Sequence, residues 1–167
     1  GTVTGQVTTI TVTNGNGIFS FLNALTPVDG NYSLTITNIE NTATNCSSAA
    51  NLTDTFEVFP IPDAQTIAVT IDDICDGESV IVTISGATNL TDGLYDIVYD
   101  LSGAIVASGQ IENNVLFTGG NASFTLPNGI LAIGVSTLTI TNLFNSISTC
   151  ETTVFTNPSA SFEIHAI

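Results

Sequence analysis

Leu-Thr-Ile-Thr-Asn occurs twice in the sequence, at residues 34–38 and at residues 138–142. A cysteine follows each copy at the same distance, as Cys46 and Cys150, and the two copies and the two cysteines are each 104 residues apart. A period of this length matches the size of an all-β domain and is too long for a solenoid repeat. The chain is therefore predicted to hold about one and a half copies of a single module.

Other matching segments place the boundary between the two copies. They pair Gly5-Gln6-Val7 with Gly109-Gln110-Ile111, Phe19-Ser20-Phe21 with Phe124-Thr125-Leu126, and Thr55-Phe56-Glu57-Val58 with Ser161-Phe162-Glu163-Ile164. The last pair is 106 residues apart, which predicts a longer loop after the cysteine in the second copy. We expect residues 1–61 to be the rear half of one module and residues 62–167 to be a complete module, both within a longer chain.

The two copies meet at the sequence Pro60-Ile61-Pro62-Asp63-Ala64. Each proline fixes its own φ angle, and closely spaced prolines favour an extended backbone. We therefore expect a semi-rigid connector, which would arrange successive modules as a rod.

Short strand patterns separated by turn residues fill the second copy, and no window shows a helical period. Strands are predicted near residues 66–71, 79–85, 94–101, 104–111, 114–117, 122–126, 135–143 and 160–166. Alternation along three of them predicts the core residues Val80, Val82, Ile84, Tyr95, Ile97, Tyr99, Leu138 and Ile140. The same alternation predicts that Asp96 and Asp100 are in water, with a threonine row at Thr137, Thr139 and Thr141. This pattern predicts an all-β fold of tandem immunoglobulin-like antiparallel sandwiches.

The charge composition excludes several classes of function. All fifteen charged residues are Asp or Glu, and the net charge is −15. Without Lys or Arg the chain cannot neutralise phosphates, which argues against binding nucleic acid or anionic lipid. Lysine-based covalent catalysis is impossible for the same reason. No run of about 18 apolar residues is present, so no membrane insertion is expected in this segment.

The cysteines suggest a crosslink between the sheets. Cys75 precedes the second predicted strand, and Cys150 follows the strand that carries the repeated motif. In an immunoglobulin-like sandwich these strands belong to opposite sheets, so we predict a Cys75–Cys150 disulfide, with Cys46 pairing outside the chain described here. Such a bond would stabilise the fold by about 4 kcal/mol. The alternative is that all three cysteines are buried free thiols.

Carboxylates are concentrated next to the connector, at Asp63, Asp72, Asp73, Asp76 and Glu78. Several carboxylate oxygens together can bind Ca²⁺, which would stiffen the junction between modules. The alternative is a solvated acidic loop that keeps a chain without cations soluble. Apart from this Ca²⁺ hypothesis, no cofactor is expected.

No catalytic constellation is visible in the sequence, and we expect the protein not to be an enzyme. His165 is the single histidine, and no nucleophile or second ligand is signalled beside it. A Gly-x-Ser-x-Gly nucleophile motif is missing as well. The possible N-glycosylation sites, each an Asn-x-Ser/Thr sequence, are Asn31, Asn45, Asn51, Asn89 and Asn121.

Five segments carry a family resemblance: Ile74-Cys75-Asp76-Gly77-Glu78, residues 82–90, Tyr99-Asp100-Leu101-Ser102-Gly103, the repeated motif and the proline-containing connector. Together they resemble the tandem immunoglobulin-like repeats of very large Bacteroidota surface proteins, the SprB-type gliding and adhesion proteins exported by the type IX system. The resemblance implies an extracellular, cell-anchored stalk or adhesin fibre.

Three functions are compatible with these patterns. The first is a structural repeat segment of a long extracellular fibre or adhesin, with neighbouring modules as its partners. The second is an adhesive module that binds carbohydrate or protein, which for a sugar would need an exposed aromatic platform. The third is a filament subunit completed by strand exchange between chains, because residues 1–61 lack the front strands of their module.

Overall fold

A computed structural model of the protein describes residues 3–21, residue 25 and residues 28–167. The chain divides into two compact units, Gly1–Pro60 and Ile61–Ile167. Strands dominate both units, and a short 3-10 helix lies at Asn128–Ile130. Within the described residues, no helix is long and apolar enough to cross a membrane.

The first unit is built on a β-hairpin. Strand β1 (Gly30–Asn41) pairs antiparallel with β2 (Cys46–Val58), and residues 42–45 form the turn between them. The Asn41 side chain stabilises this turn, because its Oδ1 accepts hydrogen bonds from the Ala43 and Thr44 amides at 3.0 and 3.2 Å. Side chains alternate along β1 between half-buried and exposed, which leaves the hairpin with one apolar face and one polar face.

The second unit contains two sheets. Its strands are β3 (Ala68–Ile71), β4 (Ile74–Cys75), β5 (Ile81–Ser85), β6 (Gly93–Gly103), β7 (Ala107–Phe117), β8 (Ala122–Thr125), β9 (Gly134–Asn145), β10 (Glu151–Thr152) and β11 (Ser159–His165). One sheet has the order β4-β11-β9-β6-β7, with β10 also paired to β9, and the other has the order β3-β5-β8. All neighbours are antiparallel except β4 and β11, which run parallel.

The core of the second unit lies between these sheets. The ring of Tyr99 on β6 contacts the ring of Phe124 on β8, with centroids 5.5 Å apart. The eight core residues predicted from alternation are confirmed as buried: Val80, Val82, Ile84, Tyr95, Ile97, Tyr99, Leu138 and Ile140. Burying a Val, Leu or Ile side chain contributes about 1.5–3 kcal/mol, so this alternation is a main source of the fold's stability. The protein is therefore nearly all β, and its second unit is a β-sandwich.

Strand β7 differs from the prediction, because the two strands expected near 104–111 and 114–117 form one strand. The register with β6 shifts at two places, next to Asp96 and next to Asp100. Opposite these places Asn114 and Gly109 have positive φ angles, 57° and 60°. A β-bulge inserts an extra residue without ending the strand, so the chain only bulges where a break between two strands was predicted.

The bulges also correct the prediction that Asp96 and Asp100 lie in water. Both residues are half-buried. Asp96 Oδ1 accepts hydrogen bonds from the Asn114 amide and the Ser146 hydroxyl, both at 2.7 Å, and Asp100 Oδ1 accepts one from the Gly109 amide at 2.7 Å. Each carboxylate thus satisfies the amide that a bulge leaves without a ladder partner.

The two units pair their corresponding strands in the same register. Tyr32 lies opposite Phe56 in the first unit, and Ser136 lies opposite Phe162 in the second, positions related by the 104- and 106-residue offsets of the sequence. The agreement extends to the polar face. The hydroxyls of Thr35 and Thr53 are 3.0 Å apart, and those at the corresponding positions 139 and 159 are 2.9 Å apart.

The structure locates the two residues by which the offsets of 104 and 106 differ. Cys46 pairs with Asn41 where β2 begins, and in the second unit the Asn145 amide donates to the Cys150 carbonyl at 2.9 Å. Strand β2 then continues to Val58, whereas in the second unit β10 ends at Thr152 and β11 begins only at Ser159. The extra residues of the second copy therefore lie between β10 and β11.

Candidate functional site

The predicted disulfide between Cys75 and Cys150 is wrong. Cys75 lies in β4, opposite His165 at the end of β11, and the adjacent Ile164 pairs with Gly134 at the start of β9. Cys150 lies beside Asn145, at the other end of β9. The eleven residue steps from Gly134 to Asn145 span about 36 Å of strand, whereas a disulfide requires Cα atoms within about 7 Å.

All three cysteines are free thiols. Cys46 and Cys75 are exposed and Cys150 is half-buried, so the alternative of three buried thiols is also wrong. The error has a topological cause: β4 and β10 both belong to the sheet that contains β9, whereas the prediction placed the two cysteines on opposite sheets. The expectation that Cys46 pairs with a cysteine outside the chain used the same assignment of cysteines to opposite sheets, and it loses that support.

The five candidate Ca²⁺ ligands are not assembled into one group. The described residues contain no set of three or more His, Cys, Asp or Glu side chains placed to hold a metal ion. Asp63 accepts hydrogen bonds from the Gln65 amide at 3.2 Å and from Asn89 Nδ2 at 2.9 Å. Asp72 and Asp76 are exposed.

The other two carboxylates of this set hold the edge strand β4. Asp73 Oδ1 accepts a hydrogen bond from the Glu163 amide of β11 at 2.7 Å. Glu78 Oε2 accepts one from the Cys75 amide at 2.8 Å. In this structure both groups act as acceptors for backbone amides, which accounts for them without a metal ion. Calcium dependence stays a prediction.

The five Asn-x-Ser/Thr asparagines are all exposed, so each is sterically accessible to a modifying enzyme. Asn31 and Asn51 lie on the hairpin strands, and Asn45 lies in the turn between them with φ at 53°. Asn121 donates its Nδ2 to the Gly119 carbonyl at 2.8 Å. Whether any of them carries a glycan stays a prediction.

His165 ends β11 with its side chain about half exposed, and its Nδ1 lies 3.6 Å from Glu163 Oε1, which is also exposed. An open depression elsewhere on the second unit carries no titratable side chain, being lined by Ile81, Thr83, Leu116, Asn121, Ala122 and Ser123. Neither place combines a nucleophile with a base, as acid–base or nucleophilic chemistry would require.

The hydroxyl of Tyr99 has a shifted pKa. Burial raises the pKa of the Tyr99 hydroxyl above its usual value, and the negative charge of Glu112 adds to the effect. Tyr99 is a core residue that packs on Phe124, so this shift reflects the packing of the sandwich.

The most informative surface is one that strand prediction did not single out, the apolar side of the β1–β2 hairpin. Ile39 is 57% exposed, whereas Leu143, 104 residues later, is fully buried. Leu34 and Ile36 are half-buried, whereas their counterparts Leu138 and Ile140 are buried. This surface becomes visible when the burial of each β1 residue is compared with that of the residue 104 positions later.

A scan against protein-family models finds no match for this chain. A search of curated proteins finds no similar sequence either.

Proposed function

We propose that the protein is a structural repeat segment of a long extracellular fibre or adhesin, in which it acts as a spacer between a cell surface and a binding tip. The observation that carries this proposal is the shared register of the two units. Tyr32 opposite Phe56 and Ser136 opposite Phe162 follow the sequence offsets, as expected for tandem copies of one module.

The strand order supports an immunoglobulin-like identity for this module. Such sandwiches pair their first two strands with the fifth in one sheet and place the third, sixth and seventh in the other. If β3 and β5 are the first two strands, β8 occupies the place of the fifth, and β6, β9 and β11 occupy the third, sixth and seventh. The resemblance to Bacteroidota surface repeats leads to the same proposal.

The chemistry of the chain fits an extracellular spacer. Its charged groups are all carboxylates, so trypsin-like proteases, which cut after Lys or Arg, have no site in it. Its stability derives from strand ladders and an apolar core, because the only ion pair in the described residues joins His165 and Glu163 at the surface. We propose no catalytic activity.

The test is the length of an extended chain. Chain 1–167 is compared by small-angle X-ray scattering with the same chain carrying one additional copy of residues 62–167. A rod of end-to-end modules should grow by about 40 Å, the length of a twelve-residue strand such as β9. A maximum dimension that hardly changes would mean that modules pack side by side, and the spacer function would be rejected.

A carbohydrate-binding function is less well supported. Most aromatic rings of the second unit lie in the core, including Tyr95, Tyr99, Phe117 and Phe162. Among the described residues the exposed aromatic side chains are Phe21 and Phe59, at 41% and 39%. A glycan array probed with chain 1–167 would detect a sugar ligand if the module has one.

A further inference from the structure

A cysteine lies at each end of the second unit. Cys75 is at the end where the chain leaves the unit, because it lies opposite His165, the last residue of β11. The same end holds Gly134, the first residue of β9, which pairs with Ile164. Cys75 is exposed, so its thiol is accessible at this exit end.

Cys150 lies at the opposite end, where the chain enters the unit. Its carbonyl accepts a hydrogen bond from the amide of Asn145, the last residue of β9. The start of β6 is at the same end, because Tyr95 pairs with Asn145. The entering chain reaches this end at Asp63, whose carboxylate accepts a hydrogen bond from Asn89 in the loop before β6. Cys150 is therefore the cysteine of the entry end, and it is half-buried.

The first unit has its cysteine in the equivalent place. Cys46 pairs with Asn41 at one end of the hairpin, whereas Val58, which leads into the connector, pairs with Gly30 at the other end. Cys46 also precedes Cys150 by the repeat offset of 104 residues. A cysteine far from the exit is thus common to both copies, and the complete copy adds a second one at its exit.

We propose that Cys75 of one complete copy forms a disulfide with Cys150 of the copy that follows it in the same chain. The proposal rests on the proposed spacer function, because end-to-end copies bring the exit end of one copy to the entry end of the next. It needs no bond within a copy, which agrees with the free thiols of Cys75 and Cys150. The bond would hold the junction between copies against bending and stretching.

The connector between copies is short enough for this bond. Where a copy of residues 62–167 follows Ile167, four residue steps lead from His165 to Asp63 of the next copy, a span of at most about 14 Å. His165 lies beside Cys75, and Asp63 lies at the end that holds Cys150. A disulfide requires Cα atoms within about 7 Å of each other, which a connector of this length permits.

The bond forms by exchange with a small disulfide such as oxidised glutathione. The thiolate of Cys75, the more exposed of the two cysteines, attacks one sulfur of the small disulfide, forms a mixed disulfide and releases one thiolate. The thiolate of Cys150 then attacks the Cys75 sulfur and releases the second thiolate. The two cysteines lose two protons and two electrons, and the small disulfide takes up both to become two thiols.

The test uses the extended chain, residues 1–167 followed by a second copy of residues 62–167. It holds the three cysteines of the chain and one more Cys75 and Cys150, five in total. After treatment with oxidised glutathione the free thiols are counted, and intact mass distinguishes a disulfide from a glutathione adduct. We expect two of the five thiols to be lost to one disulfide, whereas chain 1–167 should form none.

Matched variants identify which copies are joined. Cys75→Ser in the first complete copy should abolish the bond, whereas Cys75→Ser in the added copy should leave it intact, because no copy follows that thiol. Cys150→Ser should behave in the opposite way, with loss of the bond only when the added copy is changed. Each comparison places the same substitution in two copies of the same module, so an effect on folding is matched.

Three results would overturn the proposal: no disulfide in the treated extended chain, the same effect of Cys75→Ser in either copy, or a bond that joins two separate chains. The length of the extended chain is measured by X-ray scattering under reducing conditions, independently of the bond. A chain that lengthens but forms no disulfide rejects the crosslink alone, whereas a chain that does not lengthen rejects the spacer function.

Discussion

Phe56 lies directly opposite Tyr32 across the β1–β2 hairpin, and their rings stack with centroids 5.6 Å apart. The ring of Phe21 also contacts the ring of Phe56, with their centroids 5.4 Å apart. The corresponding residue of the second unit, Phe162, occupies the same register but is 1% exposed, whereas Phe56 is half-buried. Two positions related by the sequence offset thus lie in a closed core in one unit and in a partly open one in the other.

This difference predicts unequal effects of the same substitution. Phe162→Ala should lower the free energy of unfolding of the second unit by about 3–5 kcal/mol, because it leaves a cavity in a closed core. Phe56→Ala should cost the first unit about 1–2 kcal/mol, because less apolar area is buried there. Hydrogen exchange of the amides in β11 and in β2 reports the stability of the two units separately. Equal losses of unfolding free energy in the two variants would contradict the difference in burial.

The carboxylate of Asp96 should stabilise the bulge of β7. Asp96→Ala removes the acceptor of the Asn114 amide and of the Ser146 hydroxyl, and we expect a loss of about 1–3 kcal/mol in urea unfolding. Asp72→Ala is the matched control, because Asp72 is exposed. If both variants unfold at the same urea concentration, the hydrogen bonds of Asp96 do not contribute to stability.

The cysteines should behave as three separate thiols. Native, unreduced chain should react with three equivalents of a thiol reagent, quickly at Cys46 and Cys75 and more slowly at half-buried Cys150. Replacing Cys75 and Cys150 together by Ser should leave the melting temperature within a few degrees, because no crosslink is lost. A peptide pair linked through Cys75 and Cys150 in a non-reducing digest would contradict the structure.

The raised pKa of Tyr99 predicts a loss of stability at high pH. The folded state holds the Tyr99 proton more tightly than the unfolded state, in which the pKa of a tyrosine is about 10. The contribution of Tyr99 to the free energy of unfolding is therefore fully present below pH 10 and is lost as the pH rises above it. Tyr99→Phe should reduce the fall in unfolding free energy between about pH 9.5 and pH 11. Tyr32→Phe leaves Tyr99 in place and should retain the fall. An unchanged slope in Tyr99→Phe would show that other groups control it.

Alternation was sufficient to predict the eight core residues of the second unit and the approximate positions of most of its longer strands. Apolar and polar residues alternate along a strand when one of its faces is buried and the other is in water. Val82, Ile97 and Ile140 lie at the apolar positions of this alternation and are buried. The bulges of β7 were missed, because a bulge inserts an extra residue and interrupts the alternation of side chains without ending the strand.

The disulfide could not be predicted correctly from the repeat. A period identifies which residues are equivalent, but it carries no information on the position of a residue along a strand or on the sheet to which a short edge strand attaches. Cys75 lies in the two-residue strand β4, which is too short for any periodicity to reveal. Its attachment to β11 depends on acceptors that are distant in sequence, such as Asp73 for the Glu163 amide.

The parallel pairing of β4 with β11 has a mechanical consequence. Ala68 forms a parallel bridge with Asn157, and Cys75 lies opposite His165, so the first and last parts of the second unit run side by side in the same direction. A tensile force applied to the two ends would pull these segments past each other along the strand axis. Their hydrogen bonds, including that from the Asp76 amide to the His165 carbonyl at 2.8 Å, would then be loaded together in shear and would not open one by one. Resistance to pulling is governed by the unfolding rate, and this geometry slows unfolding under load without a covalent crosslink.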